Sequence, residues 1–295
     1  MTLPTSDTRV SYPDGAVASS GTVLHVAPLA DGRSAVILDR TPAHPVDRAW
    51  PDQPADRGVL RWEGAGPGAV EAPLLDVVTG GVHADALLLG AELPVRIGTP
   101  EWVFVVGHVI DGPPPAVGVT VEVEVDAAHR HALSAGHTAC HLASLALDAA
   151  LEGAWSKPVR ADALGFPGFD GAAIQTSRIE PNASVDVYRV GKSLRRAGFD
   201  PAALDDPDAV AERANALLAG WVASGAPVRI ERDDEALSSR RAWVCELPDA
   251  EARIPCGGTH LTSLAELRSV SVALAAAAVP GGIELTMRTT ALSRA

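Results

Sequence analysis

The chain has 295 residues, 47% hydrophobic and 21% charged, enough for one large or two moderate cores. A net charge of −13 argues against a broad phosphate-binding surface, because cations that displace counterions drive nucleic-acid affinity; lysines number two while arginine is plentiful, so only a local basic patch could serve, and DNA is not expected as a partner. No run reaches the roughly 18 consecutive apolar residues of a membrane span, and the start, Met1 to Asp7, lacks the basic and apolar parts of a leader, so no membrane contact and a cytoplasmic location are expected.

Residues 1 to about 110 alternate short β-rich runs with turn residues, the runs falling at 22–28, 34–39, 59–62 and 101–106. Several short strands at near-regular spacing predict a small barrel or sandwich, here an N-terminal β-barrel domain at 1–112 followed by a second domain at 113–295. Residues 119–126 alternate strictly between apolar and polar, a strand with one wet face. A helix is predicted from Ser134, read as its N-cap, to Leu151, with Leu142, Leu145 and Ala149 at helical spacing. The stretch 155–189, which contains Gly165-Phe-Pro-Gly-Phe-Asp-Gly171, reads as a long loop over or beside a site. Lys192-Ser-Leu-Arg195-Arg196 is a compact basic cluster whose bland reading is a solvated helix face. Asp206-Pro207 opens a second helix with the apolar stripe Val210, Ala214, Leu217, Leu218 and Trp221, and Gly225 closes it. Strands are predicted at 228–230 and 242–247, then at 269–274 and 283–288 around the turn Pro280-Gly-Gly282. The fold class is α+β, a small N-terminal β-barrel followed by helices packed on a mostly antiparallel sheet.

Two motifs carry the chemistry. His137-Thr-Ala-Cys-His141 places two imidazoles at i, i+4, one turn apart on one helix face. Cys256-Gly-Gly-Thr-His260 adds a thiolate and a third imidazole. Either motif alone is weak, but together they read as a split metal site whose N/S donors suit Zn2+. Three cysteines, one of them in this motif, fit a reducing compartment better than a disulfide framework. Cys140 and Cys245 read as small buried hydrophobes, with Cys140 close enough in sequence to approach the ion.

The residues leave several uses open. An open zinc site gives hydroxide at neutral pH for hydrolysis of a carbonyl compound, whereas a site with four protein ligands and no open position is structural. Thr138 stands where the H-E-x-x-H metalloproteases carry a glutamate base, so an ester fits this site better than an amide. Thr259 or a displaced histidine could position the water, and Gly257-Gly258 would let backbone approach a ligand closely. A zinc hydrolase of a small ester or amide, and a zinc-stabilised binding module, both remain consistent with the residues.

At these motifs the chain resembles the editing domain of alanyl-tRNA synthetase and its free-standing relatives, the AlaX-type trans-editing deacylases. The resemblance extends to Val125-Asp-Ala-Ala-His-Arg-His131 leading into the first motif, Glu212-Arg-Ala-Asn215 on the second helix, Ile254-Pro-Cys-Gly-Gly-Thr-His260, and the flanks Ile37-Leu-Asp-Arg-Thr-Pro42 and Gln53-Pro-Ala-Asp-Arg-Gly58. It covers most of residues 20–290. It implies a zinc-dependent hydrolase that cleaves a wrong amino acid from the 3′ acceptor end of aminoacyl-tRNA. His137, His141, Cys256 and His260 are then the metal ligands and catalytic centre, and Thr41, Gln53, Gly257, Gly258 and Thr259 contact substrate. The chain departs from the family where an aromatic pair and P-E-G-G-G-Q are usual, reading Pro42-Ala-His-Pro-Val-Asp-Arg-Ala-Trp-Pro-Asp-Gln53, and Ala265-Glu-Leu-Arg268 replaces G-E-I-G. The rebuilt pocket leaves two cargoes open under this resemblance: an unusual residue such as the fluorothreonine on threonine's tRNA that self-protecting members remove, or the family's usual serine or glycine on alanine's tRNA. Oligomeric state is left open, a homodimer included.

Overall fold

The computed structural model describes residues 3–64 and 68–294; Met1 and Thr2, part of the start read for a leader, lie outside them. The chain divides into two compact units. The first holds the chain up to His131 with Arg232–Arg241 and Gly257–Thr259; the second holds Ala132–Glu231, Ala242–Cys256 and the chain from His260.

Strands of the first unit are β1 (Arg9–Val10), β2 (Ala18–Pro28), β3 (Ser34–Leu38), β4 (Arg40–Thr41), β5 (Gly58–Glu63), β6 (Ala69–Leu74), β7 (Asp76–His83), β8 (Ala86–Leu89), β9 (Val103–Ile110) and β10 (Thr120–Val125). Eight of them form one sheet in the order β6-β5-β10-β2-β3-β9-β7-β8, while β1 pairs with β4 in parallel. All five residues of β3 are buried, as a continuous apolar run in a sheet interior requires. In β10 exposed and buried positions alternate, the one-wet-face strand that its sequence predicts. Among the described residues the end strands β6 and β8 do not pair with each other, so the sheet is antiparallel throughout without the closing pair of the expected barrel. The consecutive strands β6 and β7 pair with β5 and with β9 respectively, and the Leu75 N–H between them donates to the Val109 carbonyl at 2.9 Å.

Helix α1 (Ala127–Ala150) leads into the second unit. It starts seven residues before the expected Ser134 because Asp126 is its cap: the Asp126 carboxylate accepts the His129 N–H at 3.0 Å and its carbonyl accepts the Arg130 N–H at 2.9 Å. A side-chain acceptor at that position satisfies an orphan first-turn donor, and Ser134 lies buried inside the helix. After α1 come α2 (Phe169–Ala173), β11 (Ile174–Glu180), β12 (Ala183–Val190), α3 (Lys192–Ala197), α4 (Pro207–Ser224), β13 (Val228–Arg232), β14 (Arg241–Glu246), β15 (Glu251–Pro255), β16 (Leu267–Val279) and β17 (Gly282–Ser293).

The loop expected at 155–189 is half a β-hairpin. Buried and less buried positions alternate along β12, and Asn182, at φ +58°, closes a two-residue turn between Glu180 and Ala183, a backbone state that asparagine tolerates. This hairpin joins the sheet β11-β12-β17-β16, and β13-β14-β15 form a second, smaller sheet. The hairpin turn presses on α1 at Gly136, where an added Cβ would lie 2.4 Å from the Glu180 carbonyl oxygen and 2.6 Å from that of Ala183.

Helix α4 follows its sequence signals, with the Asp206 carboxylate accepting the Ala209 N–H and Gly225 left-handed at the C-cap. Asn215 on α4 donates to the Val272 carbonyl at 3.0 Å and accepts the Val272 N–H at 2.7 Å. Both bonds satisfy the free edge of β16, whose backbone would otherwise stay unpaired. Leu142, Ala143 and Ala146 of α1 share a core with Tyr188, Leu218, Trp243, Leu285 and Met287. The basic residues of α3, Lys192, Arg195 and Arg196, are exposed, around a buried Leu194. Among the described residues no helix is long and apolar enough to cross a membrane.

Candidate metal centre

The second unit brings the two motifs together. His137 and His141 come from consecutive turns of α1; the β14–β15 hairpin, in register from Ala242–Pro255 to Glu246–Glu251, delivers Cys256 directly after β15. His260 follows four residues later. One ligand atom from each of His137, His141, Cys256 and His260 lies within 4.8 Å of the other three, a cluster that can hold a metal ion.

Distances fit that use. Cys256 Sγ lies 3.4 Å from His137 Nε2 and 3.3 Å from His260 Nε2. Tetrahedral bonds of about 2.3 Å to sulfur and 2.0 Å to nitrogen separate the donors by about 3.5 Å. The imidazole rings of His137 and His141 lie 4.9 Å apart, and those of His137 and His260 4.3 Å apart. His141 supplies an independent test, since its buried Nε2 has no hydrogen-bond partner. Burial lowers its pKa to about 4, which keeps it neutral and ready to ligate at pH 7. An orphaned, neutral imidazole nitrogen turned toward a thiol and two further imidazoles is a costly arrangement unless a cation completes it.

The surrounding side chains hold this cluster in place. Thr138, where a protease would carry its glutamate, is fully buried. Its hydroxyl oxygen lies 3.2 Å from His260 Nδ1 and accepts the Leu261 N–H at 3.1 Å. The Trp243 ring is fully buried with its centroid 5.1 Å from the ring of His141 and 6.0 Å from that of His260, an apolar wall beside the ligands. Glu266 accepts the N–H groups of Thr262 and Ser263 and closes a capping box with Ser263, which fixes the chain after His260. Cys140 is not among the clustered donors: its thiol faces the Asp186 carboxylate at 3.6 Å and Ser177, and burial pushes its pKa well up. Cys245 is fully buried.

The other expected site residues belong to the first unit. Thr41 is fully buried. His108 Nδ1 lies 2.9 Å from the Val36 carbonyl, so it carries the proton, and His108 Nε2 accepts the Thr41 hydroxyl at 2.8 Å while that hydroxyl accepts the Ala43 N–H at 3.1 Å. Gln53 and Thr259 clasp each other: the Gln53 amide donates to Thr259 Oγ1 at 2.9 Å and accepts the Thr259 N–H at 3.0 Å. Gly257 has open space where a Cβ would stand, and Gly258 is buried. Arg130, from the lead-in to the first motif, makes a two-point buried ion pair with Asp56 and donates to the Pro42 carbonyl at 2.8 Å. Asp56 in turn accepts the His44 N–H at 2.5 Å, so the segment between Thr41 and Gln53 is tied down by its polar groups.

Sequence reasoning missed a cavity of about 580 Å³ in the second unit, lined by His141, Ser144, Asp148, Asp162 and Asp170 among others. Burial raises Asp148 to about 8 and Asp170 to about 6. The spacing of Asp148, seven residues after His141 on one helix, was the available signal; the other aspartates lie in the stretch read as loop.

No protein-family model matches the chain. The chain is similar to the alanine–tRNA ligase of Caldivirga maquilingensis, 36% identical over 107 residues, which is 36% of this chain and 9% of the ligase. It is also 36% identical over 112 residues to the alanine–tRNA ligase of Pyrobaculum neutrophilum, covering 38% of this chain and 9% of that ligase. The chain thus matches about a tenth of the length of either relative.

Proposed function

We propose that this protein is a zinc-dependent, AlaX-type trans-editing hydrolase that cleaves the ester of a mischarged aminoacyl-tRNA at its 3′ acceptor end. The observation that carries the reading is the gathering of three imidazoles and one thiol, from motifs more than a hundred residues apart, within 4.8 Å. Similarity to part of two alanine–tRNA ligases supports tRNA as the partner class.

His137, His141, Cys256 and His260 hold the ion, and their N₃S set matches the preference of zinc. When bound, zinc supplies polarisation of the ester carbonyl and activation of water at neutral pH. Thr138 accepts the His260 Nδ1–H and so presents Nε2 to the centre. Trp243 keeps solvent from one side of the imidazoles. With no carboxylate base at position 138, the site suits an activated ester over an amide. Gly257, Gly258 and Thr259 are substrate contacts in this reading, and Thr41 and Gln53 belong to the same set through what they hold, Gln53 by its two bonds to Thr259. Thr41 contributes through the segment it anchors, because its hydroxyl is spent on His108 and Ala43. The altered segment 42–53 favours an unusual cargo, a fluorothreonyl ester on threonine's tRNA, over serine or glycine on alanine's.

A second reading has its own support: four protein donors fill a tetrahedral site and leave no open position, as in a zinc-stabilised binding module. Hydrolysis of a panel of seryl-, glycyl-, alanyl-, threonyl- and fluorothreonyl-tRNA by wild type and His137→Ala separates the two. Cleavage of one or more esters by wild type and its loss in a folded His137→Ala protein is expected. Silence across the panel, with unfolding on chelation, would favour the structural site.

A further inference from the structure

The basic cluster on α3 has no part in the metal centre, and the fold enlarges it into a patch that includes both lysines of the chain, Lys157 and Lys192. Lys192, Arg195 and Arg196 stand at i, i+3 and i+4, the spacing of neighbours on one helix face, and all three are exposed around the buried Leu194. Lys157 reaches the same place from the chain after α1. Its Nζ donates to the Arg196 carbonyl at 3.0 Å, and Ser156 ties that segment down by donating to the Gly198 carbonyl from its N–H at 2.9 Å and from its hydroxyl at 3.0 Å. Arg189, exposed near the end of β12, donates to the Pro280 carbonyl at 2.6 Å, and Arg195 donates to the Gly281 carbonyl at 3.4 Å. Two guanidinium groups therefore meet at the β16–β17 turn.

A strand, a helix and the segment after α1 thus bring five cations to one surface of the second unit. Lys157, Arg189 and Arg195 are steadied by backbone carbonyls, which leave their charge uncompensated. Among the described residues none of the five is in an ion pair, whereas Arg61, Arg229 and Arg253, also exposed, are each held by a glutamate. Two carboxylates stand nearby, Glu284 opposite Arg189 across β12 and β17 and Asp200, which accepts the Ala202 N–H at 3.0 Å; neither is in an ion pair among the described residues. Like charges at i, i+4, as at Lys192 and Arg196, destabilise a helix. A solvated face in a chain of net charge −13 has no use for such an arrangement, and a polyanion removes its cost.

We propose that this patch is a docking surface for the phosphate backbone of tRNA, a contact separate from the ester at the metal centre. The assignment rests on the proposed function only in choosing RNA among polyanions. Guanidinium groups with most of their N–H donors open suit phosphate oxygens, and such contacts position a nucleic acid without reading its sequence. A lipid surface fits less well. The exposed large apolar side chains of the described residues, Trp50, Leu217 and Leu292 among them, lie on other segments, and interfacial binding draws on apolar side chains inserted beside the cations.

The test is the affinity of uncharged tRNA for the metal-loaded, full-length protein, read by fluorescence anisotropy over a range of salt. Wild type is compared with the triple variant Lys192→Gln, Arg195→Gln, Arg196→Gln, and with Arg229→Gln, which removes an exposed charge already paired with glutamate. The triple variant is expected to bind about tenfold or more weakly at about 0.1 M salt, with the slope of log affinity against log salt reduced by about 2–3, while Arg229→Gln binds like wild type. Should the triple variant not fold, Lys192→Gln alone lowers the slope by about one. Absence of tRNA binding by wild type, or a folded triple variant with the affinity and slope of wild type, overturns the proposal. So does tighter binding to phosphatidylglycerol vesicles than to tRNA, lost in the triple variant, which assigns the patch to a lipid surface. The two readings fail separately. Loss of tRNA binding in the triple variant of a protein that leaves every charged tRNA intact supports the patch and overturns the deacylase reading, whereas hydrolysis with an unchanged KM in the triple variant keeps the deacylase and overturns the patch.

Discussion

The Thr138 hydroxyl oxygen lies 3.2 Å from His260 Nδ1 across 122 residues of sequence, and it also accepts the Leu261 N–H. With Nε2 turned to Cys256, Nδ1 carries the proton and donates to Thr138, a bond that fixes the tautomer and angle of the imidazole. Thr138→Val keeps the shape and removes the acceptor. Its metal affinity should fall about 10- to 100-fold in a competitive chelator titration, and Thr138→Ser should restore most of it. An affinity for Thr138→Val equal to wild type would show that His260 is held by other means.

Backbone contact at Gly136 sets how closely the β11–β12 hairpin lies on α1. The atoms an added Cβ would meet are carbonyl oxygens and an amide of the hairpin turn, none of which can rotate away. Gly136→Ala should therefore destabilise by about 1–3 kcal/mol despite the better helix propensity of alanine, read as a lower urea midpoint with the slope unchanged.

Asp148 makes stability fall with rising pH. Burial holds its carboxyl up to about 8, with the Asp170 N–H opposing and the nearby Asp170 charge adding to the shift; in the unfolded chain it titrates near about 4. Between those values the folded state binds the additional proton, so stability present at low pH is lost as pH rises through the window. Asp148→Asn, which keeps an acceptor for the Asp170 N–H, should raise the melting temperature at pH 8 and leave it unchanged near pH 4. Parallel melting curves of wild type and variant against pH would count against this account.

Arg130 and Asp56 form a buried pair, with 5% and 0% of their side chains exposed. Arg130→Met strands the Asp56 carboxylate and the Pro42 carbonyl, at an expected cost of about 3–5 kcal/mol in chemical denaturation. The double variant Arg130→Met, Asp56→Leu should recover part of the loss. A cost for the single variant below about 1 kcal/mol would mean the pair is hydrated.

The His/Cys cluster that can hold a metal ion, α4 and the alternating strand at 120–125 were legible in the sequence because their signals are local. Four-residue spacing on a helix aligns His137 with His141 whatever the rest of the chain does, and Asp206, Pro207 and Gly225 cap α4 through dihedral preferences and neighbouring bonds. Ser134 misled because Asp126 offered an earlier cap, and the hairpin of β11 and β12 was hidden behind the glycines of 165–171. Which partners each residue meets was decided by the tertiary structure. Thr138 looked like a missing base until the fold set it beside His260, and Asn215 like a motif residue until β16 presented a bare edge. These contacts join residues tens to hundreds of positions apart, as Gln53 and Thr259 are joined across 206, and no pattern within a single segment encodes such a meeting; it follows from the packing that minimises exposed apolar surface while leaving few buried polar groups unpaired.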